Sequence, residues 1–287
     1  MKLFKFQVIM TCKKTNFNQL LLSLTLGLTL VFSCGDNKTE NDRDQNEPKI
    51  SKSSDSDLTN NPSDQDTFKV SKTTAAIQID GKMDEAAWQN TEVRSFDYFF
   101  DVVKPTDEQK STFRMLWDED YLYFFYECKD QFITARETVR DRAPYFDDCA
   151  EVFLIPVPET LNMHYGFEVN LYKTANDFIY LNDFYQGEFA ALKGFNPEFE
   201  VGLTIDGTLN DNSDLDKGWT MEIAIPIKVF KGADKFYPVQ EGSKWKFLAL
   251  RQDRNDAEGN RRTASTIFPT RKDVHDPDVF GMLEFVK

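Results

Sequence analysis

Carboxylates are the residues of this chain with the clearest chemical potential, and their spacing limits what they can do. Asp147 and Glu151 are the most suggestive local acid pair, in APYFDDCAEVF. On one extended strand they stand about 13 Å apart at ~3.3 Å per residue. Glycoside hydrolysis needs two carboxyl groups at roughly 5–5.5 Å or 6.5–9.5 Å, so this pair is too wide. No G-x-S-x-G or H-E-x-x-H run offers a nucleophile or a zinc-bound water. The histidines, His164 and His275, are not in a metal-ligand spacing. Asp130, Asp147 and Asp148 could instead offer hard oxygen ligands to calcium, from the end of one strand and the loop before another. The acid-rich DNSDLDKG run reads as a hairpin turn, because its glycine is out of register for a calcium loop. A non-catalytic chain is expected.

These residues must be positioned by strands. In YLYFFYEC, Leu122, Phe124, Tyr126 and Cys128 alternate with Tyr121, Tyr123, Phe125 and Glu127. In WTMEIAI, Trp219, Met221, Ile223 and Ile225 alternate with Thr220, Glu222 and Ala224. Further strands are expected at 111–117, 149–156, 165–172, 177–183, 198–205, 244–251 and 279–286. Polar turns divide them at Asp118-Glu119-Asp120, Asp206-Gly207, Asn210 to Gly218 and Glu258-Gly259-Asn260. A short helical pattern spans Met83–Gln89. The expected fold is all-β, an antiparallel β-sandwich over 68–287. Trp88, Trp117, Trp219 and Trp245 lie in or beside strand patterns and are expected in its core. Cys128 and Cys149 are expected as buried free thiols, with one bridge in an oxidising compartment as the alternative.

The N-terminal 34 residues have a different character. Lys2, Lys5, Lys13 and Lys14 precede the apolar run LLLSLTLGLTLVF, which is short for a membrane span and suits a secretory signal. Val-Phe-Ser-Cys resembles the lipobox of bacterial lipoproteins, which implies lipidation at Cys34 and anchorage at the outer membrane or cell surface. Residues 35–67 are polar and devoid of aromatics, a tether reaching roughly 30 Å as a flexible coil. The chain carries a formal charge of −14. All 48 acidic and 30 of its 34 basic residues follow Cys34, giving −18 beyond the signal. Such a surface repels nucleic acid and anionic headgroups, so contact with the membrane is expected through the anchor alone.

The motifs IDGKMDEAAW, FRMLWDEDYLYFFYECKD, DDCAEVF, GFEVNLYKTANDF, DGTLNDNSDLDKGWTMEIAIP and HDPDVFGMLEF occur in an order similar to the family 9 carbohydrate-binding modules. The resemblance covers about Ala76 to Lys287. It implies a β-sandwich that holds an oligo- or polysaccharide between aromatic rings, with calcium supporting the loops. By this resemblance Tyr145 takes the place of a stacking tryptophan, and Glu151 that of a sugar-binding glutamate. Glu168 replaces an arginine, Asn170 is kept, Arg271 replaces an asparagine and Val274 replaces the second tryptophan. Phe268 or His275 could supply the missing ring. Three alternatives accompany this reading: a scaffold or interaction lipoprotein that has lost sugar binding, a glycoside hydrolase, and a haem-binding sandwich using Met115, Met163, His164 or Met221.

Overall fold

Apolar alternation along most segments, broken by Asp- and Gly-rich turns, drives this chain into strands. The computed structural model describes residues 67–100, 110–159, 162–230, 232, 239–270 and 273–287. The signal segment, Cys34 and Arg271 lie outside the described residues, as does the tether up to residue 66. The strands are β1 (Thr67–Lys72), β2 (Arg94–Ser95), β3 (Tyr98–Phe100), β4 (Ser111–Trp117), β5 (Tyr121–Lys129), β6 (Cys149–Ile155) and β7 (Met163–Asn170). They continue with β8 (Ala175–Tyr185), β9 (Glu188–Leu192), β10 (Glu200–Asp206), β11 (Gly218–Pro226), β12 (Lys244–Arg254), β13 (Arg262–Thr266) and β14 (Gly281–Val286). Their main hydrogen-bonded path is β10-β11-β5-β4-β1-β14-β12-β6-β7-β8-β9.

This path forms a sandwich in which the β10-β11-β5-β4 half faces the β12-β6-β7-β8-β9 half. Phe68 of β1 meets Phe113 of β4 at 5.7 Å and Phe247 of β12 at 5.6 Å, edge to face. Phe113 and Phe247 also stack across the core at 6.1 Å. The sheet is mixed rather than purely antiparallel, because β1 runs parallel to both β14 and β4. Parallel neighbours need a long connection. β1 has one to each partner, since β14 closes the chain and a long stretch separates β1 from β4.

All four tryptophans are buried, as their patterns predict. Cys128 and Cys149 are buried free thiols, and burial pushes the Cys128 thiol up to about 12. Met115 and Met221 pack in the core. Tyr123 and Phe125 of the outward set of β5 are buried too. Tyr123 and Phe125 lie with Leu116 and Ala224 under Trp88, carried by a 3-10 turn at Ala86–Asn90 where a short helix is expected.

Glu222 on the outward face of β11 ties this layer down. It accepts from Trp88 Nε1, Gly81 N and Asp80 N, each at 3.2 Å. Gly81 has φ +83, and a Cβ there would lie 2.6 Å from the Leu203 backbone, so the glycine is required. Burial raises the Glu222 carboxyl to about 7. Glu222→Ala strands three donors, and each buried unpaired group costs about 1–3 kcal/mol. A urea titration should show a loss of about 3 kcal/mol or more, and less than half of that for Glu222→Gln, which keeps an acceptor. Equal losses would disprove the acceptor role.

Candidate ligand-binding site

Strand alternation sends Val152 and Phe167 into the core, and so sends Glu151, Phe153 and Glu168 to the opposite face. The ladder builds rungs on that face. Glu151 lies opposite Glu168, and Glu168 opposite Asn176. The next rung is Phe153, Gly166 and Phe178, and His164 opposes Tyr180 beyond it. Gly166 is needed because the Phe178 ring comes within 2.3 Å of where its Cβ would stand. On this face lies a pocket of about 310 Å³ lined by Tyr145, Phe146, Glu151, Glu168, Asn176 and Gln252, among others.

Aromatic groups border it on two sides. A 3-10 turn, Pro144–Phe146, carries Tyr145 and Phe146, whose rings meet at 4.7 Å and 49°. Phe146 is 50% exposed. Arg262 of β13 holds this turn by donating to the Tyr145 carbonyl oxygen at 3.3 Å, its guanidinium 5.1 Å from the Phe146 ring. Tyr180 lies nearly parallel to His275 at 4.4 Å and to Phe189 of β9 at 5.0 Å. His275 Nδ1 and His164 Nε2 share a hydrogen bond of 3.1 Å. Val274 and His275 both line the pocket, so an imidazole stands beside the valine. Phe268 does not, being buried edge-on to Phe247 at 5.3 Å.

The floor is polar and short of partners. Glu151 is 2% exposed and Glu168 4%. Asn176 Nδ2 donates to Glu168 Oε2 at 2.6 Å. Glu151 Oε1, Asn176 Oδ1 and Gln252 Oε1 are buried with no hydrogen-bond partner. Burial raises the Glu151 carboxyl to about 7, against the pull of Gln252 and Arg262. Glu168 is pushed well above the usual carboxylate range by burial and then by the Glu151 charge.

The structure brings Tyr145, Glu151 and Glu168 together, but not Asn170. Asn170 is buried below the loop, with Nδ2 donating to the Glu137 carbonyl oxygen and to Asp147 Oδ2, both at 2.8 Å. Its Oδ1 accepts from Tyr172 N and Thr174 N, which closes the β7–β8 turn. Asn176, Phe178 and Tyr180 went unnoticed in the sequence reading, although ANDFIY carries them at period two on one strand face. Gln252 had no local signal, standing just past the strand expected at 244–251, which in the fold runs on to Arg254.

The acidic ligand set is also regrouped. Asp130, Asp148 and Asp253 bring carboxylate oxygens within 4.8 Å of one another, all buried. Asp147 is outside this group, since its Oδ2 accepts from Glu137 N and Asn170 Nδ2. Asp253 replaces it because β12 carries Arg251 and Asp253 on the same face. Arg251 Nη2 bonds Asp130 Oδ2 and Asp253 Oδ1, each at 3.2 Å. Asp148 accepts from Thr134 N and Arg254 N, both at 2.6 Å. Burial, then the neighbouring Asp130 and Asp253 charges, raises the Asp148 carboxyl. Three carboxylates around one guanidinium leave a surplus of negative charge, which fits an oxygen-seeking divalent cation.

A sandwich bearing a concave, ring-bordered, acceptor-rich pocket belongs to the architecture of small-ligand binding domains. Residues 79–287 match the family described as Carbohydrate family 9 binding domain-like, and the chain belongs to that family. Among solved structures it is similar to a family 9 carbohydrate binding module from Caldicellulosiruptor kristjanssonii in complex with cellotriose. That match has 17% identity and TM-score 0.51, covering 77% of this chain and 93% of that one. The same organism's module in complex with glucose matches at 17% identity and TM-score 0.52, over 76% and 95%. A putative carbohydrate-binding protein from Bacteroides uniformis ATCC 8492 matches at 18% and TM-score 0.53, over 76% and 98%. No curated protein sequence matches the chain.

The buried glutamates have a consequence for stability. Glu151 titrates near 7 when folded, against about 4.3 in an unfolded chain, so the folded state holds the extra proton. A raised acid contributes stability in full below its unfolded value and loses it as pH climbs through the folded one. Glu168 has the same sign. The unfolding free energy should therefore fall between about pH 5 and about pH 8. Glu168→Gln, which removes the more strongly raised group, should at least halve that fall in urea titrations. An unchanged slope would mean that Glu168 is not the group responsible.

Proposed function

We propose that this protein is a non-catalytic carbohydrate-binding protein, held at the outer membrane or cell surface by a lipid on Cys34. Its ligand is an oligo- or polysaccharide. The observation that carries this reading is the pocket itself, where Tyr145 and Phe146 stand beside a floor of buried, unpartnered oxygens. The C–H faces of a pyranose are apolar and pack on a ring with little loss of entropy. Its hydroxyls donate to Glu151 Oε1, Asn176 Oδ1 and Gln252 Oε1, buried oxygens that no protein donor reaches. The half-exposed Phe146 ring and the Tyr180–His275 pair favour retained sugar binding over a sandwich that has lost it.

Hydrolysis is disfavoured by the state of the acids. Glu151 and Glu168 face each other across β6 and β7 and burial raises both, whereas a glycosidase pair needs one carboxyl ionised beside its acid. Calcium, in this reading, is held by Asp130, Asp148 and Asp253, where it would offset charge that Arg251 neutralises only in part. It supports the loops around the pocket and takes no part in sugar contact. The anchor reading rests on the lysine-rich start, the apolar run and Val-Phe-Ser-Cys, followed by the polar tether.

Calorimetric titration with oligosaccharides should give saturable binding, weakened about tenfold or more by Tyr145→Ala, the loss of one buried ring contact. Binding unaffected by Tyr145→Ala would discard this site, and sugar release on prolonged incubation would discard the non-catalytic reading. Calcium at about a hundredfold excess over its Kd adds ~2.7 kcal/mol, a rise of about 5–10 °C in Tm. Chelation should reverse this, and Asp253→Asn should abolish it. Cys34→Ala should release the protein from membranes into the soluble fraction.

A further inference from the structure

Within the sugar-binding reading, on which this step rests, we infer that the pocket selects a sugar bearing a free, protonated amino group. The ammonium is seated on the floor formed by Glu151, Glu168, Asn176 and Gln252, with the pyranose ring toward Tyr145. The floor is built for a donor. Among the described lining residues, every buried polar side-chain atom without a partner is an acceptor oxygen: Glu151 Oε1, Asn176 Oδ1 and Gln252 Oε1. A neutral hydroxyl offers one hydrogen and asks for donors in return. An ammonium offers three and accepts none, which matches this inventory.

Charge points the same way. Glu151 and Glu168 face each other across β6 and β7, so ionising one opposes ionising the other. The two cations of the lining pull on the glutamates only through space, because their hydrogen bonds go to main-chain oxygens. Lys193 Nζ donates to the Asp141 carbonyl oxygen at 3.1 Å, and Arg262 to that of Tyr145. A ligand cation would let both glutamates ionise and would gain charge-assisted hydrogen bonds from each. Phe178 and Tyr180 also line this pocket, and ring faces attract an organic ammonium. A bare metal ion would use the oxygens and leave these rings without a part. A formal charge of −14 overall favours the approach of cationic over anionic glycans.

The test compares three trisaccharides by calorimetry at neutral pH in calcium-free buffer: cellotriose, a glucosamine trimer with free amines, and its N-acetylated counterpart. The free amine should bind about tenfold or more tighter than either of the others, the gain expected for charge-assisted hydrogen bonds. Glu168→Gln should bring the amine to within about threefold of cellotriose, measured on the same variant. Cellotriose or the N-acetylated trimer binding as tightly as the free amine would overturn amine selection and leave sugar binding standing. A preference that survives Glu168→Gln would overturn the assigned floor. Binding of neutral sugar that appears only with added calcium would give the floor to a metal and overturn the proposal. No binding by any of the three would remove this proposal and the sugar-binding reading together. Should Glu168→Gln fail to fold, the three-ligand comparison on the unsubstituted protein still decides.

Discussion

Everything in this molecule depends on Phe68 and Phe113 meeting Phe247, the contact that holds the two halves of one sheet face to face. Each strand has only two faces. Once the inward one is committed to that core, polar chemistry has to sit on the outward face or at the open ends of the sandwich. The pocket takes the outward face of β6, β7 and β8. The outward face of β5 and β11 is instead sealed by Trp88 and satisfied by Glu222. The outward face of β5 and β11 is thus covered where Trp88 packs, and that of β6, β7 and β8 carries the ring-bordered pocket.

The end of β12 supplies both acidic sites, because neighbouring residues on a strand point to opposite faces. Arg251 and Asp253 point inward and join Asp130. Gln252, between them, points outward to the pocket floor. The two sites differ in how their charge is handled. The inner carboxylates have a buried guanidinium among them and main-chain donors on Asp148. Glu151 and Glu168 have amides and each other. Burying charge is costly, so the glutamates hold their protons to unusually high pH against the pull of Arg262 and Lys193, and Asp148 is raised as well, whereas Arg251 keeps its charge beside the aspartates.

Aromatic architecture was redistributed rather than lost. Valine stands at 274, yet His275 follows it and stacks on Tyr180, which in turn meets Phe189. The result is a wall of smaller rings supported by one another. Such a wall is more polar than one tryptophan.

Period-two alternation and turn residues were enough to place most of the strands, because each rests on local chemistry: an apolar face every second residue and a turn where Asp and Gly break it. The burial of the four tryptophans and the two free thiols followed from the same patterns. Tyr145 and Glu151 were legible through motif order. What the chain's linear order did not reveal was which residues face one another. The parallel insertion of β1, the pairing of Glu151 with Glu168, the exchange of Asp147 for Asp253 and the use of Asn170 as a turn clamp all depend on strand register. So does the meeting of His164 with His275. Register is settled by long-range packing of the whole sandwich, and shifting a strand by one residue would exchange every floor residue for a core residue. The sequence by itself determined the strands and their buried faces, which are local. Only the tertiary structure decided the composition of the pocket, because its walls and floor come from segments that touch nowhere along the chain.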